Sequence, residues 1–83
     1  LINRVVESGG ALAAAQEMAA RIAANGPMAV AASMMVVSQA QDWTLEEAAQ
    51  KQGEYLNPVF SSEDAIEGAT AFAEKRAPDW KGR

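Results

Sequence analysis

The chain opens with aliphatic and β-branched residues, and polar and apolar positions then alternate at helical spacing. Residues 1–6 read LINRVV, which predicts a short strand that stops at the Ser-Gly-Gly of residues 8–10. A strand must pair its backbone donors and acceptors with those of another strand. Because no second strand is predicted, we expect its partners in another chain or in sequence outside these 83 residues.

Two helices are predicted in the first half of the chain. The apolar positions of the first recur at helical spacing over about residues 11–24. Asn25 and Gly26 tolerate the left-handed conformation that ends many helices, and Pro27 suits the first turn of the next. We therefore expect a second helix over about residues 28–40.

Two more helices are predicted in the second half. The third begins at Thr44, which forms a T-x-x-E capping box with Glu47, and it ends near the Asn-Pro pair at positions 57–58. The fourth is capped by one of the two serines at positions 61–62 and extends to about Arg76. The predicted fold class is therefore mostly α, with one unpaired N-terminal strand and four helices.

The second predicted helix has no charged residue, and its large side chains do not fit one stripe. They are Met28, Val30, Met34, Met35, Val36 and Val37. A helix that is apolar all round is buried on several sides. It is either a central core helix or a helix that also faces another domain or subunit, with methionines filling an irregular contact. In both cases we expect this chain by itself to expose apolar surface.

Composition excludes several kinds of chemistry. The chain has 83 residues, no cysteine, no histidine and a formal charge of −4. Without cysteine there is no disulfide or thiolate nucleophile, and without histidine there is no Ser-His or Cys-His triad and no HExxH zinc site. The acidic balance argues against nucleic-acid binding, and no run approaches the roughly 20 apolar residues that span a membrane. We therefore expect no metal, nucleic-acid or membrane partner.

Charge is unevenly distributed along the chain. Residues 22–74 contain eight acidic residues and one basic residue, whereas four of the seven basic residues lie in the last nine positions: Lys75, Arg76, Lys81 and Arg83. Compensation of the helix dipole accounts for the charges within the fourth helix, but not for the last two. Alternatively, Phe72 lies three residues before Lys75 on one predicted helix face, and an aromatic ring beside an ammonium suits a nucleotide with a phosphate.

Four stretches together resemble the C-terminal helical region of the enoyl-CoA hydratase/isomerase, or crotonase, superfamily. They are LINRVV at residues 1–6, ARIAANGPMAV at 20–30, FSSEDAIEG at 60–68 and AFAEKRAPDWKGR at 71–83. Each stretch alone is a weak signal, but their order and spacing extend across essentially the whole chain. One departure is that many members carry basic residues after the Pro-Met-Ala-Val of residues 27–30, where this chain has Ala31, Ser33, Met34 and Met35.

The resemblance implies a fold and a set of partners. Family members begin with a spiral domain of β-β-α turns that holds the acyl-CoA pocket, the backbone oxyanion hole and the catalytic carboxylates. A helical region then covers the active site and builds trimers, often paired into hexamers. Residues 1–7 would be the final strand of the spiral and residues 8–83 the C-terminal helical region. The implied partners are the acyl-CoA substrate, the protein's own spiral domain and further copies of the protein.

The resemblance also implies roles for individual residues. Phe72 and Lys75 match family positions that reach the CoA of a neighbouring subunit, the lysine near its phosphates and the phenylalanine beside the adenine. A packing role for Phe72 remains the alternative. Leu56 matches a position near the acyl pocket, although core packing is the favoured interpretation, as it is for Trp80 in the tail. No catalytic residue is assigned to this chain.

The implied reaction is reversible hydration of a 2-enoyl-CoA thioester. Backbone amides would stabilise the enolate oxygen while two carboxylates position water and exchange protons, with no cofactor beyond the CoA of the substrate. We therefore expect the C-terminal part of an enoyl-CoA hydratase, inactive by itself and cytoplasmic. The alternatives are another crotonase-family reaction, such as isomerisation or hydrolysis, and a free-standing helical module that self-associates without catalysis.

Overall fold

Helices make up most of the chain. A computed structural model describes all 83 residues, Leu1–Arg83. A single turn of 3₁₀-helix joins the second α-helix to the third. The helices are α1 (Ala11–Ala23), α2 (Pro27–Gln39), the 3₁₀ turn (Ala40–Asp42), α3 (Leu45–Phe60) and α4 (Glu63–Glu74). This confirms the predicted mostly-α fold with four helices.

The first seven residues do not form the predicted strand. Residues 1–7 have no regular secondary structure, and no other segment of the chain forms a strand. A β-ladder needs the backbone of a second strand, which this chain does not supply, so the strand prediction is wrong for the chain by itself. The segment lies against α1 instead, where Arg4 Nη1 contacts Glu17 Oε2 at 3.1 Å. That residues 1–7 complete a spiral domain stays a prediction.

Both predicted serine and threonine caps are present. Thr44 Oγ1 accepts a hydrogen bond from the Glu47 amide at 3.3 Å, and Glu47 Oε2 accepts one from the Thr44 amide at 3.0 Å, which confirms the capping box. The hydrogen bond from the Thr44 amide, and then the contact with the Lys51 ammonium, lower the pKa of the Glu47 carboxyl. At the start of α4, Ser62 Oγ accepts a bond from the Ala65 amide at 3.1 Å, so Ser62 rather than Ser61 is the cap.

Two predicted helix ends differ from the structure. α3 continues through Pro58 to Phe60, and its last turn is closed by Ser61, whose hydroxyl donates to the Asn57 carbonyl oxygen at 3.0 Å. α4 ends at Glu74 rather than near Arg76, because Lys75 turns into the left-handed conformation with φ 54°. Such a residue closes a helix instead of extending it.

The turn between α1 and α2 is closed by a side chain. Asn25 Nδ2 donates to the carbonyl oxygens of Arg21 at 2.8 Å and Ile22 at 3.2 Å, and so satisfies the end of α1. Neither Asn25 nor Gly26 adopts a positive φ, so the predicted left-handed end is wrong here. Pro27 occupies the first turn of α2 as predicted.

The helices form a thin layer without a core of large side chains. The chain measures 45 × 38 × 18 Å, and its radius of gyration is 16.2 Å, against about 12 Å for a compact domain of this length. Its accessible surface is 6707 Å², against about 4,800 Å² for a compact protein of this mass. Only four residues are buried: Ala32, Ala71, Ser62 and Asp64. The chain by itself therefore cannot cover its apolar residues.

Much of the exposed apolar surface belongs to α2. Met34 is 68% exposed and Val37 is 77% exposed. The prediction that this chain exposes apolar surface is confirmed, and α2 is not a core helix within these residues. No single helix is long and apolar enough to cross a membrane; α1 and residues 27–42 meet that criterion only as a pair, bent by 107°.

Candidate functional site

The candidate anion site lies where α4 ends. Phe72, in the last turn of α4, is 87% exposed. Lys75 is the residue after the helix, and its amide donates to the Phe72 carbonyl oxygen at 3.2 Å. Because Lys75 has left-handed backbone angles, the prediction that the two side chains share a helix face is wrong. The two residues are instead joined across the turn that closes the helix by this backbone hydrogen bond.

Three of the four C-terminal cations are paired with carboxylates. Arg76 contacts both oxygens of Glu67, at 2.7 Å from Nη1 and 3.0 Å from Nη2, and its Nε also contacts Glu74. Lys81 contacts Asp79, and Arg83 Nε lies 2.9 Å from Glu63 Oε2. Lys75 has no carboxylate within salt-bridge distance. An incoming anion at this end of the chain therefore meets one unpaired cation.

Hydrogen bonds within these ion pairs shift the pKa values of four side chains. The hydrogen bonds from Arg76, and then the one from the Asp79 amide, lower the pKa of Glu67 to about 2. The same contact with Glu67 raises the pKa of Arg76, and Asp79 likewise raises the pKa of Lys81. Glu63 raises the pKa of the Arg83 guanidinium. The charges of the tail are thus compensated within the chain, with Lys75 as the exception.

Trp80 has the packing role favoured from the sequence. Its indole Nε1 donates to the Ala24 carbonyl oxygen at 2.9 Å, at the end of α1. Its ring lies over two glycines, such that a Cβ atom at Gly26 would meet it at 3.6 Å and one at Gly68 at 3.0 Å. Glycine is therefore favoured at both positions because the Trp80 ring approaches the backbone closely, and not because the backbone adopts a positive φ. Leu56 is half-buried on α3, as expected of a packing residue.

Two of the cavities on the helical layer differ in chemistry. One of about 310 Å³ is mostly apolar and lies beneath Trp80, between α2 and α4. The other, of about 340 Å³, is polar and contains Trp43, whose ring stacks on Tyr55 with centroids 6.2 Å apart. The Tyr55 hydroxyl donates to Gln39 Oε1 at 2.8 Å. No group of three metal-ligating side chains converges anywhere in the chain.

The sequence does not indicate that two acidic residues of α4 hold the C-terminal residues 77–83 against this helix. Asp64 and Glu67 lie one turn apart on α4, and both accept hydrogen bonds from backbone amides of the tail. Their i,i+3 spacing places them on one helix face. Nothing in that spacing indicates that a stretch of irregular backbone folds back onto the same face.

Comparison with known proteins identifies the family. Residues 1–83 match the family model described as enoyl-CoA hydratase/isomerase. The carnitinyl-CoA dehydratase of Proteus mirabilis is 41% identical, covering 100% of this chain and 33% of its own length. The enoyl-CoA hydratase EchA19 of Mycobacterium tuberculosis is 43% identical, with 100% and 31% covered. The crystal structure of enoyl-CoA hydratase from Mycobacterium tuberculosis H37Rv superposes with a TM-score of 0.97 at 44% identity, over 99% of this chain and 32% of that one.

The chain therefore belongs to the enoyl-CoA hydratase/isomerase family, as the sequence resemblance implied. It spans about a third of the length of the curated relatives that it matches. The close superposition shows that these four helices adopt the arrangement found in a larger family member. The predicted fold is confirmed at this level.

Proposed function

We propose that the complete protein is an acyl-CoA enzyme, an enoyl-CoA hydratase, and that this chain is its C-terminal helical region. The observation that carries the proposal is the family match over all of residues 1–83. The relatives are named for hydration of an enoyl-CoA and for dehydration of carnitinyl-CoA, which are two directions of one reaction type. The proposed reaction adds water across the double bond of a 2-enoyl-CoA thioester.

This chain would supply binding rather than chemistry. It has no histidine or cysteine, and the carboxylates near its C-terminus are engaged with the tail or its cations. The groups that activate water and stabilise the enolate would lie in the spiral domain, and no cofactor is needed beyond the CoA of the substrate. The cytoplasmic location stays a prediction.

Lys75 is the proposed contact for a CoA phosphate, with Phe72 beside it for the adenine. The support is electrostatic, since Lys75 is the C-terminal cation without a carboxylate partner. Phe72 adds an exposed aromatic face of the kind that stacks on a base. An exposed ion contact of this type contributes about 1 kcal/mol or less, which corresponds to at most about fivefold in affinity.

The flat shape supports the proposed partners. A layer with 6707 Å² of accessible surface and an exposed apolar α2 needs covering by other structure. We propose that the spiral domain and neighbouring copies cover it, in a trimer or a dimer of trimers. Family membership argues against the alternative of a helical module unrelated to acyl-CoA enzymes.

Steady-state kinetics of the complete protein test the role of Lys75. Lys75→Ala is expected to raise KM for the acyl-CoA by up to about fivefold while kcat stays unchanged, because binding is lost equally in ground state and transition state. Arg21→Ala is the matched control, since Arg21 is the other basic residue without an ion-pair partner. An unchanged KM in Lys75→Ala would remove Lys75 from the CoA site.

Product analysis tests the reaction class. A hydratase converts a 2-enoyl-CoA to a 3-hydroxyacyl-CoA. Movement of the double bond without addition of water would indicate an isomerase instead, and release of free CoA would indicate a hydrolase. No conversion of any acyl-CoA by the complete protein would contradict the proposal.

A further inference from the structure

The last seven residues form a tail without regular structure that is nevertheless fixed at several points. Asp64, which is only 5% exposed, accepts hydrogen bonds from the amides of Lys81 at 2.7 Å and Gly82 at 2.8 Å. The Asp64 amide donates in turn to the Arg83 carbonyl oxygen at 2.9 Å. A buried carboxylate that loses its hydrogen-bond donors is costly in free energy. Asp64 therefore holds firmly the backbone segment that supplies its two amide donors.

Glu67 holds the same tail one helical turn further on. Its Oε1 accepts a hydrogen bond from the Asp79 amide at 2.7 Å. Both of its oxygens also receive the Arg76 guanidinium, in a bidentate pair. One carboxylate therefore joins Arg76, in the bend after α4, to Asp79 in the tail.

Trp80 lies between these two anchored positions, and its side chain connects the tail to another helix. Asp79 and Lys81, its neighbours in sequence, are the residues whose amides are held by α4. The Trp80 indole is thereby directed to the Ala24 carbonyl oxygen, at the turn between α1 and α2. The tail thus connects α4 to a part of the chain more than fifty residues earlier.

Lys75 lies in the bend that this arrangement constrains. Its φ of 54° is unfavourable for a residue with a side chain, so surrounding contacts must hold it. Arg76, the next residue, is fixed through its guanidinium to Glu67 and through its amide to the Ala71 carbonyl oxygen at 3.0 Å. The Arg76–Glu67 pair and these amide contacts at the helix end therefore fix the backbone at Lys75.

We propose that Asp64 and Glu67 are positioning residues that hold the tail as a brace between α4 and the α1–α2 turn, and that this brace sets the position of Lys75. Of the four basic residues from position 75 onward, three are paired with carboxylates of α4 or of the tail, which leaves Lys75 to face an anion. The part that concerns Lys75 rests on the proposed CoA contact, whereas the brace itself does not.

Hydrogen exchange of the complete protein, followed by mass spectrometry of the peptide containing residues 77–83, tests the brace. Asp64→Ala removes the acceptors of the Lys81 and Gly82 amides and is expected to speed their exchange at least tenfold. Glu67→Gln keeps a carbonyl acceptor for the Asp79 amide but loses the charge that pairs with Arg76, so it is expected to give a smaller increase. Asp64→Asn keeps one carbonyl acceptor and is expected to give an intermediate rate. Glu63→Gln is the matched control, since Glu63 contacts only the Arg83 side chain. Unchanged exchange in both Asp64→Ala and Glu67→Gln would overturn the brace.

Binding of free CoA to the same variants tests the effect on Lys75. Glu67→Gln is expected to weaken CoA binding by about the factor found for Lys75→Ala, and the double variant is expected to add little further. Faster tail exchange with unchanged CoA affinity, in a protein where Lys75→Ala does weaken binding, would overturn the positioning role. If Lys75→Ala leaves affinity unchanged, the proposed CoA contact fails, and the exchange rates still decide the brace. If Asp64→Ala fails to fold, Asp64→Asn replaces it, and unchanged tail exchange in both Asp64→Asn and Glu67→Gln would overturn the brace.

Discussion

The indole nitrogen of Trp80 donates a hydrogen bond of 2.9 Å to the carbonyl oxygen of Ala24, 56 positions earlier in the chain. This carbonyl belongs to the end of α1, where four backbone acceptors have no partner within the helix. The tail residue therefore completes a helix end far away in sequence. In a layer with so few buried side chains, such long-range contacts carry much of the tertiary structure.

Replacement of Trp80 separates its packing from its hydrogen bond. Trp80→Phe is expected to lower the free energy of unfolding by about 1 kcal/mol, because the ring contacts remain while the bond to Ala24 is lost. Trp80→Ala is expected to cost about 2 kcal/mol, less than for a fully buried tryptophan because this ring is half-buried. Denaturant unfolding of the complete protein measures both values. Equal losses for the two variants would show that the ring contributes no packing.

The two helical glycines of α3 and α4 give a matched pair of substitutions. Glycine to alanine in a helix usually stabilises by about 1 kcal/mol. Gly53→Ala should show this gain, because its Cβ would meet only Asn57, at 3.5 Å. Gly68→Ala should lose the gain or become destabilising, because its Cβ would lie 3.0 Å from the Trp80 ring.

The comparison of these two variants is the measurement that matters. We expect Gly68→Ala to be less stable than Gly53→Ala by about 1 kcal/mol or more. Thermal unfolding of both in one buffer gives the difference. Two equally stabilised variants would mean that Trp80 does not pack against α4 in solution.

The local signals in the sequence predicted the helices well. Thr44 and Glu47 form their capping box because the required partners lie within one turn of each other. Helix existence likewise depends on spacing that can be counted along the chain. These features involve residues close in sequence, so no knowledge of tertiary structure is needed.

The failures come from contacts between residues distant in sequence. In the sequence, Gly26 suggests a left-handed helix end. In the structure, the Trp80 ring lies against this position, which explains why a residue without a side chain fits there. The sequence predicts that α4 continues through Lys75. In the structure Lys75 has left-handed backbone angles and ends the helix where the chain bends into the tail. The strand at residues 1–6 needs a partner that this chain does not contain. None of these three can be decided from local propensity.

The capping box at the start of α3 makes a separate prediction. Thr44→Ala removes the acceptor for the Glu47 amide and is expected to lower stability by about 1 kcal/mol. Thr70→Ala is the control within a helix, since the Thr70 hydroxyl only donates to the Ile66 carbonyl oxygen one turn earlier. That change is expected to be neutral or slightly stabilising. A loss for Thr70→Ala as large as for Thr44→Ala would count against the cap.

The tail is expected to loosen in acid because of Glu67. Its pKa is lowered from 4.5 to about 2, first by the Arg76 guanidinium and then by the Asp79 amide, with Lys81 adding a smaller attraction. A carboxyl with a lowered pKa in the folded state contributes stability that is fully present above its ordinary pKa of 4.5 and is lost as pH falls to about 2. The tail should therefore stay closed at neutral pH and open progressively below about pH 4.5.

Nuclear magnetic resonance of the Trp80 indole N–H and the Asp79 amide across this pH range measures the opening. Both signals are expected to move together as the pH falls, because one carboxylate fixes the segment to which they belong. Glu67→Gln cannot titrate, so its tail should be looser at neutral pH and should lose the pH-dependent change that Glu67 contributes. An identical pH profile in the unmodified protein and in Glu67→Gln would assign the acid response to another group. In that case Glu67 would not be the carboxylate that closes the tail.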